Sequence, residues 1–418
     1  RCMIKWVNTY PRFTITIAGI IFFVLFLSEC INKTKPEIVP IKNAKGKAFA
    51  GSASCAGCHQ NIYNNFIHTT HYRTSGPVSE KNIKGSFEEG KNAVAFNVHD
   101  EVRMEKKDSG FYQVEYNDGR IKRSEAFDIV IGSGKSGQTY LYWSRDHLFQ
   151  LPVSYFAVID KWANNPGYPG RVIYGRPITS RCFECHSTYA QKKSSDNTAI
   201  EAFFKNQIIF GVDCERCHGP GKEHVDFYVN NPGDTAGKLI INPATFTRQQ
   251  KLDMCALCHG GRLNNKQPAF TFEPGNRLTD FFIYNTVVSD AANIDVHGNQ
   301  YCLLASSQCF MQSGLTCNSC HNTHKNEAGN IPLYSARCIS CHNKEHANFC
   351  TFNNEPGVVL SGNCIDCHMP AKESGTIVFI DQLSNKKNAA SFRSHLIKIY
   401  PEETKKVLRF MKQTQMKK

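Results

Sequence analysis

Seven times in 418 residues the chain repeats Cys-x-x-Cys-His, at Cys55–His59, Cys182–His186, Cys214–His218, Cys255–His259, Cys317–His321, Cys338–His342 and Cys364–His368. With 19 cysteines and 16 histidines, random order would give about 0.03 such pentapeptides, so chemistry imposes the pattern. Two thiols one short turn apart, followed at once by an imidazole, are what covalent attachment of a c-type haem requires. The thiols become thioethers on the porphyrin edge and the histidine takes the iron. Paired Cys-x-x-Cys units also build zinc sites, but zinc gives no reason for a histidine after every second cysteine. Such close pairs also make poor long-range disulfide staples.

The attachment residues are therefore Cys55, Cys58, Cys182, Cys185, Cys214, Cys217, Cys255, Cys258, Cys317, Cys320, Cys338, Cys341, Cys364 and Cys367. His59, His186, His218, His259, His321, His342 and His368 are the proximal iron ligands. Seven covalently bound haems in a chain of this length amount to one per about 60 residues. That density predicts a mainly α fold with little regular structure, its core centred on the haems, and an apo-chain that cannot fold without them.

One stretch departs from this. Between Cys58 and Cys182 there is no motif, and Ala93–Val98, Val102–Lys106, Phe111–Tyr116 and Ile121–Ile131 alternate or are β-branched and aromatic, with Asn117-Asp118-Gly119 as a turn. They predict a small antiparallel β insertion at about 90–131. The aromatic run from Tyr140 to Trp162 reads as cover for porphyrin edges. The glycine-rich Ile131–Gly137 lacks the spacing of a nucleotide-binding loop. Residues 197–210 and 245–258 read as helices leading into their motifs, and Cys302 and Cys309 as a disulfide in an oxidising compartment. The organisation expected is a signal or anchor segment over 1–30, a linker over 31–53, a first-haem region over 54–180 and a six-haem cluster with a C-terminal tail over 181–418.

A formal net charge of +13 looks like a nucleic-acid signal, but fourteen haem propionates would offset it, so no nucleic-acid partner is expected. At the N-terminus Lys5 and Arg12 precede the apolar run Phe13–Leu27 and then Cys30. This reads as an export signal with Cys30 as the lipidation candidate, or as an uncleaved anchor, since Glu29 fits poorly before a lipidated cysteine. Either way the protein is expected to be exported to the periplasmic side or cell envelope and tethered to a membrane.

Outside the motifs stand His68, His71, His99, His147, His224, His297, His324, His346 and His395. With His68 and His71 as alternatives and His99 set aside, seven candidates remain for the second axial position of seven irons. Two histidines per iron give low-spin haems of low potential, whereas methionine at that position raises it. His224 and His324 follow their own motifs too closely to reach round those porphyrins, so each is expected to serve a neighbouring haem.

The run Gly211–His224, Cys317–His324 and Cys364–Pro370, with His68–His71 after the first motif, resemble the bacterial multihaem cytochromes c. The resemblance is to the tetrahaem cytochrome that accepts electrons from hydroxylamine oxidoreductase and to its octahaem relatives. It spans roughly 51–398 and implies a mostly helical fold with paired haems; it also makes Asp295-Val-His297 and His395 look like late axial ligands. Seven motifs rather than four or eight, and no Cys-x-x-Cys-Lys, set this chain apart.

Two functions are compatible with these features. One is electron transfer along a chain of mostly bis-histidine haems between redox proteins or from a quinol-oxidising membrane complex. The other is reduction or oxidation of a small nitrogen or sulphur oxyanion at an open haem. Cys182 would carry that haem, with Arg176 and Arg181 as cations and His147 as proton donor or ligand.

Overall fold

The computed structural model describes residues 39–193, 200–283, 291–343, 349–350, 352, 362–380 and 386–415. The chain divides into Arg1–Ile41 and Lys42–Lys418, and the described helices and strands all lie in the second unit. The candidates Cys30 and His346 lie outside the described residues. Among the described residues no helix is long and apolar enough to cross a membrane.

The expectation of a mainly α fold is overturned, because helix and strand occur in nearly equal amounts. The motif-free stretch forms two antiparallel sheets. Strands β1 (Ser75–Pro77), β2 (Ala93–Ala95), β3 (Asp100–Lys107), β4 (Gly110–Asn117), β5 (Arg120–Ala126), β6 (Ile129–Ile131), β7 (Gly137–Ser144), β8 (His147–Gln150), β9 (Val153–Phe156) and β10 (Lys161–Asn164) succeed one another along it. One sheet runs β2-β3-β4-β5 and the other β1-β6-β7-β9-β10, with β8 also on β7. Turn chemistry sets the register: Asp118 and Gly119 both take positive φ between β4 and β5, as a tight hairpin demands. The glycine-rich Ile131–Gly137 is the hairpin joining β6 to β7.

These sheets enclose a core of side chains, not of porphyrin. Phe96, Val102, Met104, Phe127, Tyr140, Tyr142, Leu151, Val153 and Trp162 are buried against one another. The aromatic run read as haem cover is thus sheet core. Large flat residues favour strands as strongly as they favour porphyrins, and alternation in β7 chose the strand.

A buried glutamine ties the sheets together. Gln113 on β4 donates Nε2–H to the Val153 carbonyl at 2.7 Å and accepts from the Val153 amide at 3.1 Å, and it has no solvent exposure. Gln113→Ala would strand both backbone groups and cost about 3 kcal/mol, so amides of β9 should exchange with deuterium roughly 100-fold faster. An unchanged exchange rate would remove Gln113 from that role.

Outside the sheets, motif segments alternate with short elements. The helix Ser180–His186 runs straight into β11 (Ser187–Lys192), which pairs with β12 (Phe203–Phe210). The helix expected over 197–210 is not formed at Phe203–Phe210, which pairs as a strand with β11 and sets Phe203 edge-on to Phe183. The second expected helix is present as Arg248–His259, opened by a capping box between Thr247 and Gln250. A second apolar cluster of Leu252, Leu257, Phe272, Leu278, Phe282 and Phe310 surrounds it. The expected Cys302–Cys309 disulfide is not formed: the two lie on separate short helices, Gln300–Ala305 and Gln308–Met311, and the Cys302 thiol meets the Gly260 carbonyl. A hairpin of Ala371–Ile380 and Lys387–Arg393 and a final helix, Pro401–Gln415, close the chain. Phe379 of that hairpin stacks on Phe156 of β9 at 4.2 Å, joining the β unit to the C-terminal region.

Candidate haem-binding sites

Each pentapeptide begins at or near a helical turn, which carries two thiols at i and i+3 to one side. Helices Ser52–Phe66, Ser180–His186, Cys214–His218, Arg248–His259, Ile331–Ile339 and Ile365–His368 contain or enter their motifs, and Cys317–Ser319 is a 3-10 turn.

Five of the seven motif histidines are held in one way. Nδ1–H of His218 donates to the Ile241 carbonyl at 3.0 Å, that of His368 to the Lys398 carbonyl at 3.0 Å and that of His259 to Gln300 Oε1 at 3.2 Å. His186 Nδ1 pairs with Thr74 Oγ1 at 3.0 Å and His321 Nδ1 with the Tyr334 hydroxyl at 3.3 Å. Occupying Nδ1 fixes the ring and leaves Nε2 for a metal, the second-sphere arrangement of ligating histidines.

Three of these rings face a histidine from far along the chain. His259 and His71 have ring centroids 6.1 Å apart, His218 and His324 6.1 Å, and His321 and His395 6.2 Å. Two imidazoles binding one metal, each nitrogen about 2 Å from it, place their centroids about 6 Å apart. His297 is within electrostatic reach of both His186 and His259, and burial first, then His297, hold His186 at about 4. His71 and His395 are likewise held at about 4, first by burial and then by the proximal rings beside them. A neutral imidazole is the form that binds iron. No group of three or more His, Cys, Asp or Glu among the described residues is arranged to hold a metal. Paired nitrogens without a third protein donor complement a macrocycle that brings four of its own, so the residues present fit haem.

The remaining candidates are placed otherwise. His68 is exposed, its Nδ1 against Arg73, beside a polar hollow of about 470 Å³ that Lys325 and Glu327 also line. The structure thus draws only His71 of this couple to a proximal ring. His224 is half-buried, donates Nδ1–H to the Lys238 carbonyl at 2.7 Å and packs on Tyr228. His147 on β8 donates to the Glu201 carbonyl at 3.1 Å. Neither is brought against a proximal ring by any of these contacts. The exposed His99 pairs with Asp118.

Attachment thiols of different motifs also adjoin. Cys55 contacts Cys214, Cys185 contacts Cys258 and Cys255 contacts Cys317, while Cys338 lies within electrostatic reach of Cys320 and Cys364. Cys255 is further influenced by Cys217. The motif at Cys255–His259 is therefore next to those at Cys182, Cys214 and Cys317.

Buried carboxylates that sequence reading passed over hold these motifs together. Glu215, inside its motif, accepts from the Ala50, Gly51 and Gly221 amides at 2.7–2.8 Å and so clasps the segment ahead of Cys55. Glu184, fully buried, takes the Phe270 amide at 2.8 Å and Arg181 at 3.1 Å. The signal was available: an acidic residue between two attachment cysteines will be buried with them, and a buried carboxylate must find donors. Gly211 has φ +71, and a Cβ there would lie 2.2 Å from the Tyr72 carbonyl oxygen. That close passage lets the Val212 amide bond the His71 carbonyl at 2.9 Å, beside the third motif.

A family model described as cytochrome c554 and c-prime matches residues 174–219, which include the second and third motifs. Among solved structures, the outer cell wall cytochrome OcwA matches with TM-score 0.53 and 18% identity over 85% of this chain and 81% of that one. No curated protein matches the chain. The family match thus spans two of the seven pentapeptides, and the likeness to the cell wall cytochrome is one of fold.

Proposed function

We propose that the protein carries seven covalent haems c, most with two histidine ligands, and passes electrons between redox partners on the outer side of a cell membrane. Haem c supplies a one-electron couple at its iron; the chain's own residues set where each couple sits and how easily it is reduced. The observation that carries the reading is the adjacency of attachment sites: the first and third motifs meet at Cys55 and Cys214, the second and fourth at Cys185 and Cys258, and the fourth and fifth at Cys255 and Cys317, with the sixth within electrostatic reach of the fifth and seventh. Facing imidazoles such as His218 with His324 favour stable six-coordinate iron over an open reactive face. The small-oxyanion reading is the weaker one at the second motif, where His297 stands within electrostatic reach of His186. The likeness to a cell wall cytochrome fits export, and the partner would be another redox protein or a quinol-oxidising membrane complex.

The intact mass of the mature protein should exceed that of its polypeptide by seven haem masses. Six or fewer would refute the count.

A further inference from the structure

We propose that Asp295 is a positioning residue that sets the axial coordination of one haem, by fixing His297 from the C-terminal hairpin. This rests on the bis-histidine reading above and deepens it. Asp295 is only partly buried, yet its carboxylate is saturated. It accepts from the His297 amide at 2.7 Å, the Ser374 hydroxyl at 2.9 Å, the Thr376 amide at 3.0 Å and the Gly375 amide. Three backbone donors and a hydroxyl on one carboxylate form a latch between two segments about 80 residues apart.

The latch has a purpose that local stability does not explain. Between Ala371 and Arg393 the hairpin pairing slips at Glu373–Val378, and Asp295 takes the amides of Gly375 and Thr376 inside that irregular stretch. The same hairpin supplies Phe392, whose ring packs on His297 at 5.2 Å. The histidine is thus held at its backbone, through Asp295, by one strand of the hairpin and at its ring by the other. Beyond it the chain continues against the fourth motif: the Gly261 amide bonds the Gly298 carbonyl at 2.8 Å, and Gln300 fixes His259 Nδ1. That motif in turn abuts the second, where the Cys258 thiol meets the Glu184 carbonyl at 3.7 Å and the Cys185 thiol the Leu257 carbonyl at 3.9 Å. Residues 295–300, fixed at both ends, hold His297 close to the fourth motif and within electrostatic reach of His186 and His259.

The test is ferric low-temperature EPR on the full-length holoprotein, with haem content measured in parallel. Asp295→Ala should convert one haem equivalent from low spin to high spin, and added imidazole should restore the low-spin signal. Asp295→Asn retains one acceptor oxygen and should give a partial conversion; it decides the matter alone if the alanine variant does not accumulate. Full haem content with an unchanged low-spin signal in the variants that accumulate overturns the positioning role. His297→Ala separates the two levels. If it converts one haem while the Asp295 variants do not, only the latch fails. If His297→Ala changes nothing, the ligation of this haem by His297 fails with it.

Discussion

A chain made with all fourteen motif cysteines replaced by serine is expected to lose its fold except in the β unit, leaving a protease-resistant fragment from about residue 75 to about residue 178. The difference lies in what each region has for a core. The β unit buries Phe96, Val102, Met104, Tyr140, Leu151 and Trp162 among themselves, and no attachment residue belongs to that cluster. Two of its buried polar side chains bond within the unit, Trp162 Nε1 to the Ser86 carbonyl at 2.7 Å and Gln113 to Val153. Elsewhere the apolar residues are tied to motifs: Leu252, Ala256 and Leu257 share a helix with Cys255 and Cys258, and Cys317 packs on the same cluster. Without seven large apolar macrocycles those segments bury too little surface to offset their conformational entropy. Limited proteolysis followed by mass spectrometry checks it. Complete digestion, or resistance of the whole chain, would show that the β core does not stand apart from the haems.

His71→Ala should remove one low-spin haem and raise its reduction potential by on the order of 100 mV, because a strong nitrogen donor is lost from the iron. The affected haem is expected to be the one attached at Cys255, whose proximal His259 faces His71 at 6.1 Å, and not the one at Cys55, nearest in sequence. A double variant identifies the pair. If His71 and His259 serve one iron, His71→Ala/His259→Ala loses one low-spin haem in total, whereas independent irons would lose two. His324→Ala paired with His218→Ala and His395→Ala paired with His321→Ala are expected to behave alike. Spin quantitation by EPR and spectroelectrochemical titration report the two effects separately. Additive loss in all three double variants would dismiss cross-ligation.

The sequence by itself nominates the attachment sites and proximal ligands, since that chemistry is contained within five consecutive residues and needs only one helical turn to present it. Hairpins were legible for a similar reason: alternation and the Asp118-Gly119 turn act over a few residues, and β3, β4 and β5 lie where the pattern placed them. Local signals failed where two structures favour the same residues. Phe203–Phe210 could be a helix approaching a motif until β11 offers it a partner, and Tyr140–Trp162 could cover a porphyrin until a second sheet packs on it. The second axial positions were beyond any local pattern. His71 reaches His259 across 188 residues and His395 reaches His321 across 74, so the set of spare histidines carried no information about which iron each would serve. Placement came from contacts that only the folded chain makes: the passage of Gly211 over Tyr72, the Glu215 clasp ahead of Cys55, and the grip of Asp295 on the last hairpin. Covalent attachment is decided by neighbours along the chain, and coordination on the opposite face by whatever the tertiary fold carries there.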